Sequence, residues 1–233
     1  MLFRQLFDSE SSTYTYLIAD ESTGEAALID PVREQLERDL RLLRELGLTL
    51  CFALDTHVHA DHITAAGDLR ERTAAKTVSC VTGGADCASV HLGHGGELRV
   101  GGLLIKALAT PGHTDDSLSF LCEDRVFTGD ALLIRGCGRT DFQNGSPGQL
   151  YDSITQVLFA LPDRTRVYPA HDYTGQSMST IGEERRYNPR LAGKSRDEFI
   201  ALMNNLRLAP PKKLNVAVPA NRACGKDPQP QGA

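Results

Sequence analysis

The sequence predicts a mixed α/β chain whose element order suits a four-layer αββα sandwich, two mixed sheets covered on the outside by helices. Three observations carry this expectation. Short apolar or alternating runs with the period of strands are interleaved with stretches carrying apolar residues at helical spacing. Turn residues punctuate these runs at short intervals. Histidine or aspartate follows four separate apolar runs, and the carboxyl ends of strands are where open α/β layers place their chemistry.

The elements follow in order. Tyr14 to Ala19 and Glu25 to Asp30 read as strands joined by a turn at Ser22-Thr23-Gly24. Asp30-Pro31 reads as an N-cap followed by a first-turn proline. Val32, Leu36, Leu40, Leu43 and Leu46 then form an apolar helical stripe, closed by Gly47. Leu50 to Leu54 is a buried strand, and a helix is expected from about Ile63 to Arg72. Val78 to Val81 is a further strand, and Leu98 to Leu108 a hairpin turning at Gly101-Gly102. A second hairpin spans Ser117 to Cys122 and Arg125 to Thr128. Gln149 to Ala160 is helical, Arg166 to Tyr168 a short strand, and helices are expected from Gly182 and near Arg196 to Arg207. Residues 1–220 are expected to form one domain, with 221–233, rich in Pro, Gly and Gln, as a disordered tail.

The 233 residues suit one large domain. A formal charge of −5, with no block of basic residues, argues against nucleic acid as a partner. No apolar run is long enough to span a bilayer and the N-terminus lacks a secretory signal, so the cytoplasm, or an organelle matrix after processing, is expected. Cys51, Cys80, Cys87, Cys122, Cys137 and Cys224 form no regular framework and are expected to be reduced and mostly buried. Cys137, in a glycine-flanked loop, is kept as a residue near the site. His91 and His94 sit in a glycine-rich stretch and read as solvated polar residues.

His57-Val58-His59-Ala60-Asp61-His62 places four metal-ligand side chains in six residues directly after a strand. Pro111-Gly112-His113-Thr114, Thr128-Gly129-Asp130 and Pro169-Ala170-His171-Asp172 repeat the same grammar: an apolar strand, then a ligand beside glycine or proline. The donor types permit two occupancies. His57, His59 and His113 could hold one metal while Asp61, His62 and His171 hold a second, with Asp130 bridging. A single ion on fewer of these groups is equally compatible with the residues alone.

As an ordered set these four motifs resemble the metallo-β-lactamase superfamily, over about residues 15 to 175. Gly129 to Gln143, Ala170-His171-Asp172-Tyr173 and Glu183-Glu184-Arg185 leading to Asn188-Pro189-Arg190 resemble the ethylmalonic-encephalopathy type of persulfide dioxygenase, extending the match to about residue 207. No rhodanese domain is seen downstream, so the stand-alone form is expected. The resemblance implies a metallo-β-lactamase-like αββα fold and one Fe(II) per chain held by His57, His113 and Asp130. Two imidazoles and one carboxylate on a single face leave open positions for O2 and a sulfur ligand. His59, Asp61, His62 and His171 would then surround the metal ligands, orienting them and holding water.

The implied reaction oxidises glutathione persulfide with O2 and water to sulfite and glutathione, within sulfide oxidation, by a protein working as a homodimer. Arg139 and Arg190 are expected to pair with the glutathione carboxylates, since a guanidinium fork matches a carboxylate. Tyr173 would present its hydroxyl near the bound sulfur or peptide backbone. Asp141 is expected to cap a turn. Two other readings remain open: a glyoxalase II-like thioester hydrolase with a binuclear site, and a non-catalytic metal- or glutathione-binding module.

Overall fold

A computed structural model describes residues 1–211 and 213–226. It contains two six-stranded sheets packed face to face. The first has the strand order β1 (Leu2–Asp8), β2 (Thr13–Ala19), β3 (Glu25–Ile29), β4 (Thr49–Leu54), β5 (Lys76–Cys80) and β6 (Val90–Leu92). Its β1-β2-β3 meander is antiparallel, whereas β3 through β6 run parallel, so the sheet is mixed. The second sheet comprises β7 (Glu97–Val100), β8 (Leu103–Ala109), β9 (Leu118–Cys122), β10 (Arg125–Gly129), β11 (Arg166–Pro169) and β12 (Ser179–Thr180), in reverse spatial order. It is antiparallel except where β10 and β11 run side by side.

Tyr16, Ile18, Ile29, Leu54, Ile105, Phe120 and Phe127 come from both sheets and fill the space between them. Leu17, Leu28 and Ala53 alternate with these residues and point outward, where they meet α1 (Leu36–Glu45) and α2 (Ala66–Thr73). On the far side Val126 and Val167 pack against Leu150 of α3 (Pro147–Asp152) and Phe199 of α5 (Arg196–Asn204). The four layers expected from the element order are therefore present, and burial of both sheet faces explains the continuous apolar runs. Among the described residues no helix is long and apolar enough to cross a membrane.

Several expectations need correction. α1 is preceded by one 3-10 turn, Arg33–Gln35, and Asp30 caps nothing. Asp30 adopts φ 51° and turns its carboxylate inward, where it accepts from Thr56 N and Thr56 Oγ1. The helix expected from Ile63 starts only at Ala66, and the one after α3 continues as a π-helical turn, Ser153–Leu158. The helix expected from Gly182 is α4 (Ile181–Tyr187), whereas β1, β6, β12 and α6 (Leu214–Arg222) carry no expectation from the sequence. His91 lies in β6, where its Nε2 meets Ala85 O.

The largest correction concerns the C-terminus. Asn221 to Lys226 are packed, not frayed: Asn221 is buried, and Lys226 pairs with Asp68 and Glu71. Residues 227–233 lie outside the described residues. Cys87 and Cys224 are joined as a disulfide with their Cα atoms 6.0 Å apart, so these two cysteines are not reduced. Their separation of 137 residues leaves no spacing signal in the sequence. Cys51, Cys80, Cys122 and Cys137 remain free thiols.

One tie between the sheets is acid-sensitive. Asp20, at the β2–β3 turn, accepts from Gly102 N at 2.7 Å in the β7–β8 turn and from Ser22 N and Oγ. These hydrogen bonds, the one from Gly102 foremost, lower its pKa to about 2. A depressed folded-state pKa means that its contribution is complete above the unfolded value of 3.8 and is lost as pH falls toward 2. Asp20→Asn should therefore lower stability near pH 7, where the carboxylate is ionised, and leave it unchanged once the pH falls to about 2, as urea unfolding followed by circular dichroism at the two pH values would register.

Candidate metal centre and substrate cavity

The ligand motifs converge because β4, β8, β10 and β11 all end on one side of the sandwich. His57 follows β4, His113 follows β8, Asp130 follows β10 and His171 follows β11. Ligand atoms of His57, His113 and Asp130 lie within 4.8 Å of one another. The tautomers of both imidazoles are set by their partners. His113 Nδ1 lies 2.7 Å from the Arg139 carbonyl oxygen, which can only accept, so Nε2 keeps its lone pair and faces Asp130 at 3.5 Å. Thr56 Oγ1 gives its proton to Asp30 and so accepts from His57 Nδ1 at 3.0 Å. His57 Nε2 is thereby left as an acceptor. Burial, reinforced by the His59 and His113 rings, pushes the His57 imidazole well below its ordinary pKa, which keeps it neutral and able to ligate.

The backbone at this end tolerates no extra atoms. A Cβ on Gly138 would lie 2.4 Å from Asp130 O and 2.7 Å from His113 Nδ1. Gly129 has φ +53°, and a Cβ there would meet Thr56 Oγ1 at 2.6 Å. Gly138 lets the Asp130 and His113 loops close on each other, and Gly129 lets the end of β10 close on Thr56.

A second group lies alongside. His59 Nε2 is 3.0 Å from Asp30 Oδ1, and Asp61 Oδ2 is 2.9 Å from both His62 Nδ1 and His171 Nε2. His171 Nδ1 reaches Asp130 Oδ1 at 3.2 Å, linking this group to the first. Burial opposes charge on His59, yet Asp30 and Asp61 outweigh it and raise its pKa to about 10. Burial likewise works against the Asp61 anion, but His62 and His171 hold it well below the usual carboxylate range. His59 Nδ1 and His62 Nε2 are buried with no hydrogen-bond partner. Orphaned buried nitrogens beside a carboxylate suit a cation or an ordered water, so the donor set fits metal binding.

The loop carrying His57 to His62 is clamped from several elements. Asp116 accepts from Val58 N at 2.8 Å, and Gln143 donates to Val58 O at 2.6 Å. Asn221 of α6, 3 % exposed, donates to His59 O and His62 O and accepts from Thr64 N, all at 2.8–2.9 Å. Sequence reasoning missed Asn221, because an asparagine before a Gly- and Pro-rich stretch carries no local signal.

A cavity of about 440 Å³ opens over His57, His113 and Asp130, lined also by Leu133, Cys137, Tyr173, Arg190 and the segment from Leu208. This volume suits a small-molecule substrate. Arg139 borders the cavity but does not offer its guanidinium to it. Nε and Nη2 make a fork with Asp141 at 2.6 and 2.7 Å, while Nη1 donates to Ala209 O. Asp141 therefore braces Arg139 instead of capping a turn, and the pair anchors the 208–211 segment. Arg190 differs: Nη1 donates to Cys137 O at 2.6 Å, and among the described residues no carboxylate pairs with it. Tyr173 is 73 % exposed, with its ring 6.1 Å from that of His171. Cys137, kept from the sequence as a residue near the site, is buried in the cavity wall 3.6 Å from Arg190.

The profile of the metallo-beta-lactamase superfamily matches residues 9–87 and 88–171. Mouse mitochondrial persulfide dioxygenase ETHE1 is 49% identical over 97% of this chain and 89% of its own length. The crystal structure of ETHE1 from Myxococcus xanthus superposes with a TM-score of 0.95 at 67% identity, covering 97% of this chain and all of that one. Hydroxyacylglutathione hydrolase from a Bradyrhizobium strain is more distant, at 36% identity over 75% of this chain and 68% of its own length. The ligand set, the sandwich and these likenesses agree: the chain belongs to the metallo-beta-lactamase superfamily and, within it, to the family of persulfide dioxygenase ETHE1.

Proposed function

We propose that the protein is a glutathione-dependent persulfide dioxygenase. The balanced reaction takes one glutathione persulfide, one O2 and one water to glutathione, sulfite and two protons. The observation that carries this reading is a metal-ready His57, His113 and Asp130 trio beneath a cavity with an uncommitted arginine, in a chain so similar to ETHE1 proteins. One Fe(II) held by these three residues would supply the redox chemistry that zinc lacks. The same reading takes a homodimer as the working state and the cytoplasm as the compartment.

The chain's own groups account for substrate handling. Arg190 is the cation available for a glutathione carboxylate, and its bond to Cys137 O fixes its direction. Arg139 is removed from that role because Asp141 and the 208–209 carbonyls already hold its fork. Tyr173 offers a hydroxyl at the edge of the cavity. Burial pushes the Cys137 thiol up to about 11, so it stays protonated and does not compete as a nucleophile for the persulfide sulfur. His59, Asp61, His62 and His171 orient the trio and hold water.

Arg190→Ala should raise KM for glutathione persulfide about 10- to 100-fold, the worth of one charged hydrogen-bonded contact, with kcat changing far less. Steady-state oxygen uptake against persulfide concentration measures both constants.

A second reading, a thioester hydrolase with two metals, draws on the unpartnered His59 Nδ1 and His62 Nε2. One experiment separates the two. Iron-loaded protein is given glutathione persulfide in an oxygen electrode and S-lactoylglutathione under argon. The dioxygenase consumes O2 in a 1:1 ratio to sulfite and leaves the thioester intact. Thioester hydrolysis without oxygen uptake would refute it.

A further inference from the structure

Glu184, in the first turn of α4, is wholly buried and lies outside both the metal group and the cavity lining. A buried carboxylate is costly unless it is fully paired, so its partners show what it holds. Both oxygens are occupied. Oε1 accepts from the Arg135 guanidinium and from Ser179 Oγ at 2.6 Å. Oε2 accepts from Arg135 N and Asn188 Nδ2, each at 2.9 Å.

These partners lead to the site along two routes. Arg135 has φ 58°, a left-handed backbone that only a tight environment maintains in a side chain of this size, and its N–H is held by Glu184. It sits in the loop from Asp130 to Gly138, whose ends are joined by Gly138 N donating to Asp130 O at 2.7 Å. Asn188 donates also to Gly136 O at 2.9 Å in that same loop, and its Oδ1 accepts from Arg190 N at 3.0 Å. Arg190 Nη1 closes the circuit on Cys137 O. One carboxylate thus ties the loop that begins at Asp130 to the residue bearing the cavity's uncommitted guanidinium.

We infer that Glu184 is a positioning residue: it seats the Arg190 guanidinium against the Asp130–Gly138 loop and so sets affinity for the anionic end of the substrate. This rests on the proposed function in taking that substrate to carry glutathione. The charge of Glu184 matters as well as its shape, because the Arg135 guanidinium and three neutral donors converge on it.

The test is a double-mutant cycle on the iron-loaded enzyme. Calorimetric titration with glutathione under argon and oxygen-uptake kinetics are run on the parent, Glu184→Gln, Arg190→Ala and the double variant. Glu184→Gln should weaken glutathione binding and raise KM about tenfold or more, with iron content unchanged and kcat within about threefold. In the Arg190→Ala background it should add little, since both changes remove one function. A purely structural role would instead give additive effects, or a loss of iron and kcat together. Unchanged binding by Glu184→Gln, or additivity with Arg190→Ala, overturns the inference. Should Glu184→Gln yield no soluble protein, Arg135→Gln replaces it in the same cycle under the same criteria. A parent that does not bind glutathione would overturn the functional reading and this inference with it. Unimpaired binding by the variant of a parent that does bind overturns the inference alone.

Discussion

Asp130→Ala is expected to empty the metal centre and to lower persulfide oxidation by more than about a thousandfold. Asp130 is the only anion of the trio, with Oδ2 3.5 Å from His113 Nε2. Losing a unit charge beside a divalent cation in a buried site removes several kcal/mol, and about 1.4 kcal/mol is a factor of ten. His171 Nδ1 loses its partner in the same substitution. Asp61→Ala supplies the contrast. Under the mononuclear reading Asp61 only orients His62 and His171, so iron should be retained and activity should fall by about 10- to 100-fold. Equal, complete loss in both variants would speak for two metals. Iron analysis of the purified proteins beside oxygen uptake gives the answer.

Asn221→Leu should be the most destabilising single change outside the hydrophobic core. It strands two buried carbonyl oxygens, of His59 and His62, and one amide, of Thr64. Each orphaned group costs about 1–3 kcal/mol, and allowing for shared relaxation the sum is about 3–5 kcal/mol. For a chain of this size that is a fall in melting temperature of about 10–15 °C. Iron affinity should fall with it, because the loop bearing His57 loses its support from α6. Scanning calorimetry and competition against an iron chelator measure the two effects separately. An Asn221→Leu variant that melts like the parent and holds iron as tightly would show that the clamp contributes nothing.

What the sequence made legible was local. Each of these candidate site residues follows closely on the end of a strand, so His57, His113, Asp130 and His171 could be picked out by the residues beside them. The mixed α/β class followed from apolar strand runs and from helices with one apolar stripe, and the four-layer sandwich from the element order together with the family resemblance. What stayed hidden depends on contacts between residues far apart in the chain. Asp30 has a capping residue's sequence context, yet its carboxylate serves Thr56, 26 residues further on. The Cys87–Cys224 bond and the Asn221 clamp each join the C-terminal segment to a distant part of the fold. The Arg139–Asp141 fork stayed hidden for a different reason: the two residues lie only two apart, but whether the Asp141 side chain turns to the arginine or to a turn amide is a tertiary outcome. Glu184 reads as an ordinary helical acid until its complete burial is seen.

Anaerobic titration of the metal-free protein with Fe(II), followed at each point by oxygen uptake with glutathione persulfide, tests the core of this account most directly. Activity should rise linearly and level off at one iron per chain. A rise that continues to two equivalents, or turnover of a thioester in sealed vessels free of oxygen, would contradict it.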